Sequence, residues 1–226
     1  MKGNLYMQEI LINGGQMLGV PLSNVQAEQL ERYAELLKEW NEKINLTAIT
    51  APDEIAVKHF LDSLTPLLTG YVQGKVIDVG TGAGFPGLVL KIAKPEISLV
   101  LLDSLNKRIN FLKEVAQNLS LDNIEFVHSR AEDAARGKYR AKFDTVVSRA
   151  VANMTVLSEL CLPFLKIGGR FLALKGPLAD EELNSAKRAI HILGGEVEKV
   201  FETKIPYSDL SHNIIIVKKV RQTPLQ

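Results

Sequence analysis

The sequence is poor in cysteine and tryptophan and carries almost no net charge. Its 226 residues include 27 basic and 26 acidic side chains, which leaves a formal net charge of +1. The single cysteine, Cys161, excludes an internal disulfide framework and is typical of a protein in the reducing cytoplasm. It lies in an apolar helical stretch, so we expect it to pack in the core. The balanced charge means that any nucleic-acid binding must use a local basic patch.

The start of the chain has no unbroken apolar run. Polar residues at Gln8, Glu9, Asn13 and Gln16 interrupt it, so we expect neither a signal peptide nor a membrane span there. With 46% hydrophobic residues and a mean hydropathy near zero, the chain is expected to be a soluble, cytoplasmic, globular protein without a membrane partner. No exposed apolar heptad demands a dimer, so a monomer is expected. No metal site is expected.

The most informative segment is residues 76–87, which read Val-Ile-Asp-Val-Gly-Thr-Gly-Ala-Gly-Phe-Pro-Gly. A short apolar run stops at three alternating glycines, Gly80, Gly82 and Gly84, and an apolar helical pattern follows. This pattern predicts a strand, a tight turn and a helix. Because glycine has no Cβ atom, a ligand can approach the backbone of such a turn closely.

Two ligands fit this turn. Gly82, Gly84 and Gly87 satisfy the dinucleotide fingerprint, and Asp103 lies at a suitable distance downstream to hold a ribose hydroxyl. The spacing from Asp78 to Gly84 is instead typical of S-adenosylmethionine sites. A carboxylate at Asp78 would repel a pyrophosphate, whereas it can help to neutralise the ammonium and sulfonium of S-adenosylmethionine, directly or through water. The segment therefore favours the methyl donor.

The chain is predicted to consist of a helical extension, residues 1–70, packed on a core domain, residues 71–226. A capping box at Ser23 and Gln26 opens a helix that is expected to run into the mid-forties, and residues 53–68 are expected to form another. The first helix is expected to carry one apolar stripe, formed by Leu30, Tyr33, Leu37, Trp40 and Ile44. From Lys75 onward the pattern becomes βαβ. Strands are expected at 75–79, 98–102, 123–127, 143–147 and 169–174, helices at 86–93, 104–119, 153–165 and 180–193, and late β-rich runs at 195–203 and 212–220.

This element order predicts an α/β fold with a doubly wound, mostly parallel sheet and a late antiparallel hairpin. Such a hairpin is usual in the Rossmann-like sheet of class I S-adenosylmethionine-dependent methyltransferases and atypical of dinucleotide folds. Too little chain is left for the substrate domain of a dehydrogenase. The sequence therefore predicts a methyltransferase.

Basic side chains follow the predicted strand ends, where ligands of open parallel sheets lie. We expect them to form a nucleic-acid patch together with His59 of the helical extension. The patch consists of Lys107, Arg108, Arg130, Arg149 and Lys175. The more basic run at residues 136–142 leads into the fourth strand, so it is expected at the opposite edge as a solvated loop.

Two sequence features that some methyltransferases need are missing, and this limits the atoms that could accept the methyl group. The fourth strand lacks the Asp/Asn-Pro-Pro-aromatic stretch common in enzymes that methylate exocyclic amines, and Cys161 lies too far past that strand to attack pyrimidine C5. A ring nitrogen such as guanine N7 needs neither group, because its lone pair attacks the methyl carbon directly and no proton is lost. Catalysis would then depend on proximity and orientation, without an obligatory general base.

Several ordered segments resemble the bacterial small-subunit (16S) ribosomal RNA guanine-N7 methyltransferase family, also called glucose-inhibited division protein B. The resemblance covers nearly the whole chain. It rests on Trp40–Thr47, His59–Ser63, Val79–Gly87, Leu102–Arg108, Ser129–Glu132, Val147–Ala150 and Ala173–Gly176.

The resemblance implies that S-adenosyl-L-methionine lies across Gly80 to Phe85 and is converted to S-adenosyl-L-homocysteine. It places the cofactor ribose near Asp103, with Ser104 also at the cofactor, and the adenine near Ala131 and Glu132. Arg149 would sit as a positioning residue at the cofactor and the incoming base. The implied substrate is one guanine of 16S ribosomal RNA, near the decoding region, in free RNA or in the small ribosomal subunit.

Other functions remain open from the residues alone. A methyltransferase of another RNA, a small molecule or a protein would use the same cofactor turn without needing the basic edge. A nicotinamide-dependent oxidoreductase would use the same glycines. A catalytically silent RNA-binding module is a further alternative.

Overall fold

A seven-stranded sheet forms the centre of the computed structural model, which describes residues 2–149, 152–176, 179–209 and 211–225. The strands are β1 (Lys75–Val79), β2 (Ser98–Asp103), β3 (Ile124–His128), β4 (Phe143–Arg149), β5 (Leu165–Lys175), β6 (Gly195–Lys204) and β7 (Ser211–Lys219). Their order in the sheet is β3-β2-β1-β4-β5-β7-β6. Strands β1 to β5 run parallel, and β7 pairs antiparallel with both β5 and β6.

This topology confirms the doubly wound sheet with a late antiparallel hairpin. The chain leaves β1 in one direction through β2 and β3, and returns to the other side of β1 for β4 and β5. The order therefore reverses between β1 and β4, where their carboxyl ends diverge. Crevices at such switch points are the usual ligand sites of open α/β sheets.

The helical segments connect the strands and form the extension before β1. They are α1 (Lys2–Leu18), α2 (Asn24–Asn41), α3 (Pro52–Glu54), a π-helical segment (Ile55–Leu61), α4 (Asp62–Leu64), a 3₁₀ turn (Thr65–Thr69), α5 (Gly87–Ala93), α6 (Asn106–Asn118), α7 (Ala131–Arg136), α8 (Met154–Cys161), a 3₁₀ turn (Leu162–Phe164) and α9 (Ala179–Ile192). Helix α7 was not among the predicted elements. It is short, and its buried residues are two neighbouring alanines, which give no clear apolar periodicity.

Two predicted boundaries are wrong for local reasons. Helix α2 ends at Asn41 because the Asn41 side chain folds the next turn: its Oδ1 accepts from the backbone N–H groups of Leu46 (2.8 Å) and Thr47 (3.0 Å). The helix expected at 153–165 stops at Cys161, and β5 begins at Leu165, because the intervening residues form a 3₁₀ turn containing Pro163.

Strand residues alternate between two apolar cores, one on each face of the sheet. Val76 and Leu99 face the core that contains α1, α2, α5 and α6, whereas Ile77 and Val100 face the core that contains α7, α8 and α9. This alternation follows from the two-residue period of a strand, and it gives both faces of the parallel sheet a helical cover.

The helical extension shares the first of these cores. Leu30, Tyr33 and Leu37 of α2 are fully buried, at the spacing that the sequence predicted. The capping box of α2 is present, and Gln26 Nε2 also donates to the last carbonyl groups of α5. Gln29 Nε2 donates to the carbonyl of Leu119 at the end of α6 (3.1 Å). The extension therefore caps two core helices as well as covering their apolar faces.

The basic run at residues 136–142 lies at the amino end of β4, as expected. Lys138 pairs with Glu125 (2.8 Å), and Arg140 donates to the carbonyl of Thr223 (2.6 Å). Two of its charges are thus engaged at the edge away from the switch point. Within the described ranges, no helix has both the length and the apolar character needed to cross a membrane.

Candidate functional site

The turn after β1 is shaped by glycines in the left-handed region. Gly80, Gly82 and Gly84 have φ angles of 69°, 60° and 94°. A Cβ atom on Gly82 would meet nothing closer than the Gly80 carbonyl, at 4.0 Å, whereas one on Gly84 would collide with the Tyr33 hydroxyl. Gly82 therefore faces open space, and Gly84 packs against the helical extension.

Asp78 lies beneath this turn. Its side chain is fully buried, and its Oδ2 accepts hydrogen bonds from Thr81 Oγ1 (2.7 Å) and the Gly87 N–H (2.8 Å). Burial raises the pKa of Asp78 to about 6, although both hydrogen bonds and the Arg149 charge oppose the shift. We expected Asp78 to reach the cofactor directly or through water. Oδ2 holds the turn, whereas Oδ1 is buried and has no hydrogen-bond partner among the described residues, so the contact with the cofactor stays a prediction.

Asp103 lies at the end of β2, beside the same turn. Its side chain is 3% exposed; Oδ2 accepts from the Gly82 N–H (2.9 Å), and Oδ1 accepts from the Leu105 N–H (2.9 Å). Arg108 Nη1 lies 3.4 Å from Oδ2. The carboxylate therefore joins the glycine turn to the start of α6, in addition to any bond that it makes to a ligand.

A cavity of about 390 Å³ opens between these groups and the helical extension. We call it the turn cavity. It brings together the predicted residues Gly80, Gly82, Phe85, Asp103, Ser104, Arg108, Arg149 and His59, and adds Leu46, Thr47, Thr81 and Ala83. The residues present fit S-adenosyl-L-methionine. A ligand can approach the backbone closely at Gly82, and the Asp103 carboxylate and the exposed Ser104 can form hydrogen bonds with its polar parts.

Ala131 and Glu132 stand one loop away from the turn cavity. They begin α7, and the loop before it is attached to the end of β2: the Ser129 N–H donates to the Asp103 carbonyl (3.1 Å), and His128 Nε2 lies 3.1 Å from the Ser104 carbonyl. Glu132 is exposed and Ala131 is half-buried. The structure thus places Ala131 and Glu132 beside Asp103 and Ser104, but they do not line the turn cavity itself.

Arg149 ends β4 and faces the turn cavity. Its Nη1 donates to Asp62 Oδ2 (2.6 Å) and to the Lys58 carbonyl (3.2 Å), and its guanidinium carbon lies 5.1 Å from the centre of the Phe85 ring. The next residue of the motif, Ala150, lies outside the described residues. Arg149 is therefore held rigidly by the π-helical segment and by α4, which the sequence pattern did not indicate.

His59 is the second side chain fixed at this place. Its ring stacks on Phe85 with 4.5 Å between ring centroids, Nε2 lies 2.8 Å from Thr47 Oγ1, and Nδ1 lies 3.4 Å from Arg149 Nη2. Burial and then the Arg149 charge lower the pKa of His59 to about 4, against the attraction of Asp62. The imidazole is thus neutral at pH 7, so one ring nitrogen donates and the other accepts. Because arginine can only donate, the contact with Arg149 assigns Nδ1 as the acceptor and Nε2–H as the donor to Thr47.

A second cavity, of about 530 Å³, adjoins the turn cavity and shares His59 and Arg149 with it. Its polar wall includes Asp62 and His212, whose Nδ1 lies 2.7 Å from Asp62 Oδ1. A further cavity, between α1 and Tyr207, contains none of the predicted site residues. His59 and Arg149 are thus the side chains through which the first two cavities meet.

Lys175 also lines the second cavity. We expected it to be a basic surface residue that contacts RNA. Its side chain is 8% exposed, and its Nζ lies 2.7 Å from Glu182 Oε2 and 2.5 Å from the Ala152 carbonyl oxygen. The ammonium is therefore part of a cavity wall. Lys107 and Arg130 are exposed beyond the strand ends, as a surface contact requires.

Several site residues were not predicted. Thr47 lies in a segment that supported the family resemblance, but its hydroxyl had no assigned role. Tyr33 was predicted only as part of an apolar stripe; its hydroxyl donates to the Ala83 carbonyl in the glycine turn. Asp62 lies in the segment His59–Ser63, which supported the family resemblance, but its carboxylate had no assigned role. Glu182 and His212 carried no local signal that indicated their partners Lys175 and Asp62.

Cys161 is fully buried, and burial raises the pKa of its thiol well above the usual range. Its prediction as a core residue is confirmed. A buried, protonated thiol is a poor nucleophile, which agrees with its exclusion as a catalytic group.

Comparison with known proteins gives consistent matches over nearly the whole chain. The model of the family GidB, rRNA small subunit methyltransferase G, matches residues 26–211. The proteins named "Ribosomal RNA small subunit methyltransferase G" from Alkaliphilus oremlandii and Clostridium novyi are 51% and 48% identical to this chain. The first match covers 96% of this chain and 92% of the relative, and the second covers 100% and 94%.

Solved structures share the fold at low sequence identity. M. jannaschii TYW2, solved in complex with AdoMet, is 13% identical with a TM-score of 0.56, over 71% of this chain and 77% of that chain. A branched-chain polyamine synthase from Thermus thermophilus is 14% identical with a TM-score of 0.61, over 86% and 65%. At these identities the likeness concerns the fold alone.

Proposed function

The chain belongs to the rRNA small subunit methyltransferase G family, and from this premise we propose that it methylates N7 of one guanine in 16S ribosomal RNA. Membership of this family makes it an S-adenosyl-L-methionine-dependent rRNA methyltransferase. The other candidate functions, a nicotinamide-dependent oxidoreductase among them, have no comparable support. We propose in addition which nucleotide is methylated, which RNA is the partner and what the individual site residues do.

The observation that carries the proposal is the meeting of two cavities at His59 and Arg149. A methyl transfer needs the donor and the acceptor on opposite sides of the methyl group, in line and in contact. The lining of the turn cavity fits the donor, and the second cavity would give the acceptor base a place directly beside it. The two shared side chains would then lie against both reactants.

S-adenosyl-L-methionine would supply an electrophilic methyl group, whose carbon bonds to N7 as its bond to sulfur breaks and leaves S-adenosyl-L-homocysteine. Asp103, Ser104, Phe85 and the backbone of Gly80 and Gly82 are the groups that would hold it, with Ala131 and Glu132 on the adenine side. Gly84 and Asp78 would maintain the turn. The Asp78 carboxylate adds a negative field that favours a cationic ligand over a neutral one.

Arg149 acts in this proposal as a positioning residue. Its guanidinium is anchored by Asp62 and lies over Phe85, so it presents a fixed donor face at the junction of the cavities. His59 is neutral but has both ring nitrogens engaged, with Thr47 and Arg149. Neither group is available as a general base, and a reaction at guanine N7 requires none, because no proton leaves the ring.

The proposed RNA surface lies at the same edge of the sheet as these cavities. Lys107 and Arg130 are exposed beyond the carboxyl ends of β2 and β3, and Arg108 is half-buried next to Asp103. His59 and Lys175 would contribute from within the cavities. We further propose that residues 1–70 are a helical extension of a methyltransferase domain at 71–226, and that the protein acts as a monomer on 16S RNA or the small ribosomal subunit.

The test is methyl transfer from labelled S-adenosyl-L-methionine to ribosomal RNA taken from cells that lack this gene, followed by mapping of the modified nucleotide. Incorporation at one guanine of 16S RNA, with cleavage chemistry diagnostic of N7-methylguanosine, would support the proposal. Incorporation into 23S RNA, or at another atom of the base, would contradict it. Naked RNA and intact small subunits should be compared in parallel to identify the preferred substrate.

A further inference from the structure

We infer that Lys175 and Glu182 together read the edge of the target base that carries O6 and N1–H, and so select guanine over adenine. The inference rests on the proposed function, because it takes the second cavity as the place of the base to be methylated. It also replaces the expectation that Lys175 binds a phosphate at the surface.

The two side chains form a pair built into the cavity wall. Lys175 ends β5 and Glu182 lies in the first turns of α9, and the pair joins these elements over 2.7 Å. The lysine side chain is 8% exposed and the glutamate side chain is 34% exposed, so the carboxylate is the more accessible partner. An ammonium this buried is poorly placed for an open phosphate contact and well placed for a base inside the cavity.

Each partner keeps hydrogen-bonding capacity. Both contacts of Glu182 within the described residues, to Lys175 and to the Met154 N–H (3.0 Å), use Oε2, so Oε1 has no partner there. The Lys175 ammonium has three N–H donors, of which Glu182 and the Ala152 carbonyl engage two. Counting only contacts with described residues, the wall therefore presents one free acceptor beside one free donor.

This arrangement is complementary to guanine. Guanine carries an acceptor at O6 next to a donor at N1–H, whereas adenine carries an amino donor at position 6 next to an acceptor at N1. Because N7 must face the methyl group at the junction of the cavities, the base cannot turn over to exchange these positions. Adenine would then set its amino group against the ammonium and its N1 lone pair against the carboxylate, which is a repulsive arrangement.

The remaining walls suit the flat faces of a purine. Leu174 and Ile205 line the same cavity and are almost fully buried. Enzymes that act on a base outside the helical stack commonly hold it between apolar side chains and read its hydrogen-bonding edge. The second cavity combines both features.

The experiment uses 16S RNA that carries guanosine, inosine or adenosine at the target position. Inosine retains O6 and N1–H and lacks only the 2-amino group, so the wild-type protein should methylate guanosine and inosine at comparable rates. Glu182→Gln and Lys175→Met should each lower kcat/KM on both by about tenfold or more, since each loses a charge-assisted hydrogen bond. The affinity for S-adenosyl-L-methionine should stay unchanged.

Matched controls come from the same two elements. Glu181→Gln changes the exposed neighbour of Glu182, and Lys166→Met removes a lysine at the other end of β5 that pairs with Asp144. Both controls should retain the wild-type rate on every RNA. Thermal unfolding of all four variants identifies any that fail to fold.

A second measurement does not depend on turnover: the equilibrium affinity for the three RNAs in the presence of S-adenosyl-L-homocysteine. The preference for guanosine over adenosine should fall in Glu182→Gln. An equal loss on all three RNAs would assign Glu182 only the structural task of holding the Met154 N–H and would overturn the inference, as would an unchanged preference. Failure of the wild-type protein to methylate 16S RNA would instead contradict the proposed function.

Discussion

Arg149 Nη1 lies 2.6 Å from Asp62 Oδ2, and this ion pair joins the end of β4 to the helical extension. Burial opposes ionisation of Asp62, but the His212 hydrogen bond and the Arg149 charge outweigh it and keep the pKa of this carboxyl below its usual range. Asp62 therefore stays charged at neutral pH. Its two oxygens hold Arg149 on one side and His212, in β7, on the other.

Asp62→Asn should impair catalysis by releasing Arg149. The amide keeps the shape of the carboxylate but leaves a largely buried guanidinium unpaired, so the free energy of unfolding should fall by up to about 3 kcal/mol. The rate of methyl transfer should fall with it, and kcat more than KM if Arg149 only positions the reactants. Steady-state kinetics and denaturant unfolding measure both effects. Asp53→Asn, at an exposed carboxylate of the same helical segment, is the control and should change neither.

Asp78→Asn tests the buried carboxylate through its pH dependence. The folded-state pKa of about 6 lies above the ordinary value near 3.8, so the protonated form stabilises the fold at low pH, and this contribution disappears as the pH rises through 6. The asparagine variant lacks this dependence. The unfolding free energy of the variant minus that of the wild type should therefore rise from pH 4 to pH 6 and stay constant above pH 6. Loss of the Asp78 hydrogen bonds would shift this difference by the same amount at every pH and would not change its shape.

The same variant also tests the electrostatic role of Asp78. S-adenosyl-L-methionine carries a sulfonium charge that S-adenosyl-L-homocysteine lacks. Calorimetric titration at pH 8 should show that Asp78→Asn loses affinity for the first ligand more than for the second. An equal loss for both would mean that Asp78 only shapes the turn.

Gly82→Ala should weaken cofactor binding more than folding. At φ 60° an alanine costs about 1–2 kcal/mol of backbone strain, and its methyl group would point into the turn cavity. Gly70→Ala is a matched control, because Gly70 has φ 74° and open space around its Cβ position but lies outside the cavity. The two variants should unfold at similar temperatures. Only Gly82→Ala should lose affinity for S-adenosyl-L-methionine, and equal affinities would remove this turn from the proposed site.

The placement of RNA predicts different salt dependence for two basic sets. Neutralising Lys107 and Arg130, beyond the strand ends, should flatten the log–log salt dependence of RNA binding by about one unit for each lost phosphate contact. Neutralising Arg136 and Lys138, at the opposite edge, should change it little. The measurement is the RNA affinity from low to moderate salt. A larger effect from Arg136 and Lys138 would show that RNA binds at the opposite edge of the sheet and would contradict the proposed surface.

The sequence could predict features that depend on short-range pattern. The strand at 75–79, the glycine turn and the stripe of Leu30, Tyr33 and Leu37 follow from the periods of strands and helices, and the structure has them where expected. The edge on which a polar residue lies also follows from pattern, because every parallel strand ends at the same edge of the sheet. This is why Asp103 and Arg149 meet in one cavity.

Side-chain partnerships across the chain could not be predicted in this way. Nothing near His212 indicates a contact with Asp62, which lies 150 positions earlier, and nothing near Lys175 indicates that its ammonium is buried and pairs with Glu182. The hydrogen bonds of Asp103 to Gly82 and Leu105 depend on the exact path of two loops. Composition and spacing indicate which residue types reach a site, whereas packing decides which of them are free.

The hydrogen bond from Tyr33 to the Ala83 carbonyl has a consequence for how this protein can be divided. The tyrosine ring lies 5.5 Å from Phe85, and its hydroxyl occupies the space that a side chain at Gly84 would need. A chain shortened to residues 71–226 would keep every strand yet lose the inner lining of its own ligand turn. We therefore expect the two parts to depend on each other for stability, and a chain shortened to residues 71–226 to lose the shape of its glycine turn.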